Sequence, residues 1–277
     1  MNINRLSRHF LAVAGMAMAF SAGSAIAAED AEKADKGDWN LEFRYRLELV
    51  DQDPFAEDAS ASTLRTRLNY TSRDTNGFSV FAEFDYVKEL FGDDYNEGGG
   101  NTPDRGGFPV VADPEGDDLN QAYMQYKNNG SHFRLGRQRI ILDNARFVGN
   151  VGWRQNPQTY DGLSFQHKAG DTAHFSMAYI MNVNRIFGND VAAGDHEHST
   201  ILLNISDTIE GLGKVTAYWY DIDNEDAAGL SNATYGVRLA GSKAIDDRKF
   251  GYTLEYALQN DSGDNPVAYD ADYYRID

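Results

Sequence analysis

Acidic and basic side chains recur at every second position in three stretches: Glu42, Arg44, Arg46 and Glu48; Arg65 and Arg67; Glu83 and Asp85. A guanidinium is a planar fork of donors that matches a carboxylate bidentately. This spacing suits two kinds of chemistry, attraction of anions along a path and bracing of a wall by ion pairs. More arginine collects within residues 136–162, where Arg137, Arg139, Arg146 and Arg154 stand in a stretch too irregular for one strand and too polar for a core. Arg134 and Arg238 stand apart from these runs. The chain carries a formal net charge of −18 at pH 7, so its arginines are concentrated against the overall balance.

Catalytic chemistry has no comparable signal. There is no Gly-x-Ser-x-Gly elbow, no His-Glu-x-x-His and no phosphate-binding loop, so no enzyme activity is expected. Asp195-His196-Glu197-His198 has ligand-type residues, but neighbours on an extended chain point opposite ways. The acidic run that includes Asp93, Asp94, Glu97, Asp104, Asp113, Glu115, Asp117 and Asp118 lacks the spacing of a calcium loop and is expected to be a solvated loop face. Neither a metal nor a cofactor is expected.

The elements that position the arginines follow from hydrophobic periodicity. Trp39, Leu41, Phe43, Tyr45, Leu47 and Leu49 alternate with Asn40, Glu42, Arg44, Arg46 and Glu48, a period of two that defines a strand. Such a strand is long enough to cross a hydrocarbon layer, which takes about 9–11 residues at a tilt of about 45°. The pattern recurs in about twelve strands over residues 38–277. In the fourth the phase is divided, because Leu119 and Tyr123 compete with Ala122, Met124 and Tyr126. Connections alternate in length: 51–61, 89–118, 140–158, 182–198, 222–232 and 260–268 are long, those between them short. Long loops at one end and short turns at the other mark a transmembrane antiparallel up-and-down β-barrel; a soluble sandwich has no reason to sort them.

Residues 1–27 read as a signal peptide, with Arg5, Arg8 and His9 before an apolar run from Leu11 to Phe20 and a small-residue cleavage site at Ala25-Ile26-Ala27. Residues 28–37 are a polar, flexible N-terminal leader. Residues 38–277 form the barrel, expected to be incomplete at the C-terminus because the chain ends at Tyr274-Arg275-Ile276-Asp277, inside a strand. The full barrel would be larger, since an open sheet edge is not tolerated in lipid. The chain has no cysteine, which excludes a disulfide scaffold, and its acidity excludes nucleic acid as a partner. The expected surroundings are the outer membrane of a Gram-negative bacterium, its lipid and its lipopolysaccharide.

A charge on the lipid face costs about 2–4 kcal/mol near the midplane, so the charged alternates face inward. Folding the first strand on the second brings Arg44 near Arg67 and Arg46 near Arg65, with Glu83 and Asp85 beside them.

The central stretch resembles the signature region of the alginate-export family of outer-membrane barrels. Gly136-Arg137-Gln138, Asp143, Arg146-Phe147-Val148-Gly149, Trp153-Arg154 and Thr159-Tyr160-Asp161-Gly162-Leu163 carry the resemblance. It implies a monomeric barrel of roughly 16–18 strands, similar to an arginine-lined, anion-selective channel that passes an acidic polysaccharide, with Arg137, Arg139, Arg146 and Arg154 contributing to the pore lining. Other members of the family look like general or aromatic-acid uptake porins.

The expected function is a passive outer-membrane channel for anionic or small polar solutes, including acidic oligosaccharide. Its lumen is lined by Arg44, Arg46, Arg65, Arg67, Glu83, Asp85, Arg134, Arg137, Arg139, Arg146, Arg154 and Arg238, and a loop folds inward at the constriction. The alternatives are a structural or adhesive barrel with a closed lumen and an export channel for acidic polysaccharide.

Overall fold

The computed structural model describes residues 14–21 and 37–277, residue 247 excepted. One antiparallel sheet contains every strand among the described residues: β1 Ala14–Ser21, β2 Asp38–Val50, β3 Ala59–Thr71, β4 Phe78–Asp94, β5 Gly116–Asn128, β6 Ser131–Gln138, β7 Thr159–Ala169, β8 Ala173–Asn184, β9 Asp195–Ile209, β10 Gly213–Ile222, β11 Asn232–Ile245, β12 Arg248–Asp261 and β13 Asp270–Ile276. Each pairs with its neighbour in sequence, and β1 and β13 are the two edges. The strands β2 to β13 are those the period of two predicts. Of the signal peptide expected over residues 1–27, residues 14–21 form β1 along the edge of β2; the rest, and all but the last residue of the leader expected over residues 28–37, lies outside the described residues.

The sheet is inside out by the standard of a soluble protein. Leu135, Leu163 and Val237 are 51%, 48% and 55% exposed, whereas Arg65, Asp85 and Thr216 are 3%, 1% and 1% exposed. Lipid rather than water is the solvent of the apolar face, and the polar face is covered by inward-folded loops. Aromatic pairs mark the end of the sheet with the short turns: Trp39 with Tyr70, Phe78 with Tyr126, and Phe133 with Phe165, at ring separations of 4.7, 4.5 and 4.4 Å. This is the interfacial girdle of a membrane barrel. Two of the turns have Asn then Gly with positive φ, Asn76-Gly77 and Asn129-Gly130, whose twist suits a tight hairpin.

The register corrects the expected arginine neighbours by two residues. Arg44 faces Arg65, and Arg67 faces Glu42 on one side and Asp85 on the other. The divided phase of β5 has a physical cause. Glu83 faces Gln121 but Phe84 faces Leu119, so Asn120 is an extra residue in a bulge. Leu119 and Met124 can then both point to lipid, at 48% and 49% exposure.

Candidate functional site

Two long connections, residues 95–115 between β4 and β5 and 139–158 between β6 and β7, lie on the polar face. The second crosses it. Phe147 packs against Tyr218 of β10 and Tyr273 of β13, at ring separations of 5.7 and 5.4 Å. Val148 belongs to the buried cluster formed with Tyr160, Ile180, Leu202 and Tyr220. A few residues later, Gln155 is fully buried against the opposite wall: its side-chain amide donates to Thr63 Oγ1 (2.9 Å) and to the carbonyl oxygens of Thr63 (3.2 Å) and Arg44 (3.3 Å). Turns with left-handed φ at Asp143, Ala145 and Val151 set the path between. Such a conformation is unfavourable for a β-branched residue, and backbone hydrogen bonds from Arg154 N to Val151 O (3.0 Å) and Gln158 N to Asn150 O (2.8 Å) hold Val151 there.

The signature residues fasten this loop. Tyr160 donates its hydroxyl to the carbonyl of Gly149 (2.6 Å), and the Asp143 carboxylate accepts from Asn204 Nδ2 (2.7 Å). Gly162 is needed for close approach: a Cβ there would meet Tyr179 O at 2.1 Å. At Gly136, with φ +124°, a Cβ would meet Ala122 O at 2.3 Å.

The arginines of β2 and β3 are the frame. Arg44 donates from Nε to Gln155 Oε1 (2.9 Å) and from its terminal nitrogens to the carbonyls of Gly152 (3.3 Å) and Trp153 (2.9 Å). Arg46 reaches the Trp153 carbonyl, pairs with Glu48 and lies 3.3 Å from Asp113. Arg65 donates to Gln155 O (3.2 Å) and pairs with Glu42. Arg67 makes a bidentate pair with Asp85 (2.6 Å for both bonds) and lies 3.4 Å from Glu83.

From the loop side, Arg154 stacks over Trp153 at 3.9 Å and pairs with Glu48 (3.2 Å) and Asp113 (3.7 Å). Arg139 pairs with Glu83 and donates to Asn120 Oδ1 (2.6 Å). Four of the expected arginines, Arg44, Arg46, Arg65 and Arg67, thus meet the loop or its immediate neighbours, together with Glu83 and Asp85.

The remaining expected residues are dispersed. Arg134 lies over the Tyr123 ring at 4.9 Å beside His132, and Arg238 pairs with Glu255 at 3.4 Å. Arg137 is out of phase with Arg134 and Gln138 and pairs bidentately with Asp161 (2.9 and 3.0 Å). Arg146 is exposed and covers the Tyr273 ring at 5.1 Å.

Among the described residues, Arg44, Arg134 and Arg146 have no carboxylate within 4.0 Å, whereas the other expected arginines have one.

Asp113 corrects the picture of a solvated acidic loop. It is fully buried where both loops meet β2, and its Oδ1 accepts from the backbone N–H of Gln155 (2.7 Å). Burial pushes its pKa up, against the pull of Arg46 and Arg154, while burial pulls that of Arg154 down. Tyr95 is buried beside it and donates to Asp113 O (3.2 Å). The glycine run of the same loop packs on another: a Cβ at Gly99 would meet the Phe187 ring at 2.6 Å. The periodic pattern carried no signal for Asp113, because its partners Arg46 and Arg154 lie far away in sequence. The tag Asp195-His196-Glu197-His198 does alternate at the start of β9, with His196 buried and Asp195 and Glu197 exposed.

The family described as alginate export matches residues 37–271, from the residue before β2 into β13. No curated protein matches the chain. Among solved structures, OccAB4 of Acinetobacter baumannii superposes with a TM-score of 0.67 at 14% identity, over 89% of this chain and 65% of that one. OccAB2 of the same organism gives 0.64 at 20% identity, over 86% and 62%. OpdK of Pseudomonas aeruginosa, solved with vanillate, gives 0.62 at 10% identity, over 86% and 61%. At these identities the likeness is one of fold. The chain spans less than two thirds of the length of each of these relatives.

Proposed function

We propose, from the premise that the chain belongs to the alginate-export family of outer-membrane β-barrels, that it forms the wall and constriction of a passive channel for small anionic or polar solutes. One observation carries this: loop 139–158 lies across the polar face, held on one side by Arg44, Arg46 and Arg65 and on the other by the cluster around Phe147 and Val148. A loop in that position narrows the path through a barrel. The vanillate carried by OpdK, an aromatic carboxylate, supports a small anion as the permeant.

The pairing of the arginines divides their roles. Those facing carboxylates brace the wall, and their charge is largely cancelled. Anion preference then rests on Arg44, Arg134 and Arg146. The test is the zero-current potential of the purified protein in a planar bilayer under a salt gradient. Wild type should favour anions, and the combined Arg44→Gln and Arg134→Gln substitutions should move the potential toward that of an unselective pore. Absence of conductance from correctly folded protein would favour a closed, structural barrel. Unchanged selectivity in the double variant would remove these two arginines from the solute path.

A further inference from the structure

Arg185 directly follows β8 and was not among the residues the strand pattern singled out. Its guanidinium donates from Nη1 to Ala193 O (2.9 Å) and lies over the Phe187 ring at 5.1 Å. Among the described residues no carboxylate lies within 4.0 Å of it. Burial pulls its pKa down, with no nearby acid to oppose the effect.

The histidine beside it has a tautomer fixed by its other neighbour. The backbone N–H of Ala227 donates to Asn224 Oδ1 (2.8 Å), which leaves Asn224 Nδ2 facing His196 Nδ1 at 3.0 Å. An amide nitrogen only donates, so Nδ1 is the acceptor and the proton of the neutral ring sits on Nε2. That Nε2 lies 3.4 Å from Arg185 Nη1. Ala193 O takes one proton of Arg185 Nη1, so its second proton and the His196 Nε2–H converge with no acceptor between them, although His196 is only 8% exposed. Buried donors in native proteins nearly always have a partner, and an anionic oxygen is the partner that satisfies both.

A cavity of about 220 Å³ opens beside this pair. Its other wall is apolar, made by Phe147, Val148, Tyr160, Ile180 and Leu202. The volume is below the ~300–1,000 Å³ of sites for drug-sized ligands, so the occupant is smaller. We propose that this cavity is a binding subsite for a small organic monoanion, its charged oxygen seated between Arg185 Nη1 and His196 Nε2 and its apolar body against Phe147, Tyr160, Ile180 and Leu202. The inference rests on the channel reading for the ligand's route of access, not for the chemistry of the site.

Benzoate is the probe, measured by calorimetry on the full chain purified in detergent, with benzyl alcohol lacking the charge and glucuronate lacking the apolar body. Benzoate should bind at least about tenfold more tightly than either, the scale of one charge-assisted hydrogen bond. Arg185→Gln should erase its advantage over benzyl alcohol, and Arg185→Lys should keep most of it. Phe147→Ala should bring benzoate toward glucuronate.

Equal binding of benzoate and benzyl alcohol, equal binding of glucuronate, or an undiminished preference in Arg185→Gln would overturn the subsite. Because Arg185 also holds the Ala193 carbonyl, the circular dichroism of each variant is compared with wild type; a misfolded Gln variant leaves the Lys and Phe147 variants to decide. Conductance of the same preparation separates the two claims. A conducting protein that ignores benzoate overturns the subsite alone, and a benzoate-binding protein that never conducts overturns the channel alone.

Discussion

Removing one arginine from the interior has a cost that depends on what faces it. Arg67 grips Asp85 through two bonds of 2.6 Å with Glu83 close by. Arg67→Ala strands the buried Asp85 carboxylate, while Glu83 keeps Arg139, and should lower stability by about 3–5 kcal/mol, read as a drop in the urea midpoint of the folded protein. Arg134→Ala strands none and should leave that midpoint nearly unchanged.

Asp113 gives a pH dependence of definite sign. Its folded-state pKa is raised by burial, so its contribution to stability is full below the unfolded value and lost as pH climbs through the folded value. Between the ordinary carboxylate range and neutrality, wild type should lose stability with rising pH relative to Asp113→Asn, as urea midpoints across that interval will report. A difference of opposite sign would mean that Arg46 and Arg154 outweigh burial. The alternation of charged residues was legible in the sequence. Which carboxylate each arginine meets was not, since a shift of two residues in register exchanges Arg65 for Arg67 opposite Arg44. His196 stood out only as one of four ligand-type neighbours and Arg185 not at all, because the ring proton that faces Arg185 is set by Asn224 and Ala227, held in another loop.

At the scale of elements, loop 139–158 is secured most tightly at Gln155. Gln155→Ala removes the partners of Thr63 Oγ1 and of two buried carbonyls, at about 1–3 kcal/mol for each polar group left unsatisfied. Single-channel recordings should show a larger or noisier conductance in this variant, with the barrel itself intact by circular dichroism. Identical traces would mean that the loop does not limit the path. The inward course of this loop was legible because arginine and irregularity coincide there. That of residues 95–115 was not, because acid and glycine also describe a solvated loop. What folds it inward is the fit of Asp113 to two distant arginines and of Tyr95 and Val111 to Val50, Ala59 and Ala61. The bulge at Asn120 was legible only as a conflict of phase; the conflict was the signal.

For the whole molecule, the decisive property is a sheet with apolar residues outside and charge inside. Leu163→Arg, on the lipid face, should reduce folding into lipid vesicles by about 2–4 kcal/mol if it lies at the midplane, whereas Ser164→Arg, one residue along on the other face, should be tolerated better. Equal effects would contradict the assignment of faces. The expected removal of residues 1–27 predicts an N-terminus near Ala28 in protein taken from outer membranes. It would also make β2 the edge that β1 now covers.

The way the crossing loop is mounted bears on how such a protein can change. Arg44, Arg46, Arg65 and Asn120 hold it largely by main-chain oxygens, those of Gly152, Trp153, Gln155 and Pro157. A grip on backbone is indifferent to the side chain that backbone carries. Residues along the loop other than Asp143, Arg154 and Gln155, which fasten it by their side chains, can therefore be exchanged, retuning what the proposed channel admits, while the fastening that holds the loop across the polar face stays the same.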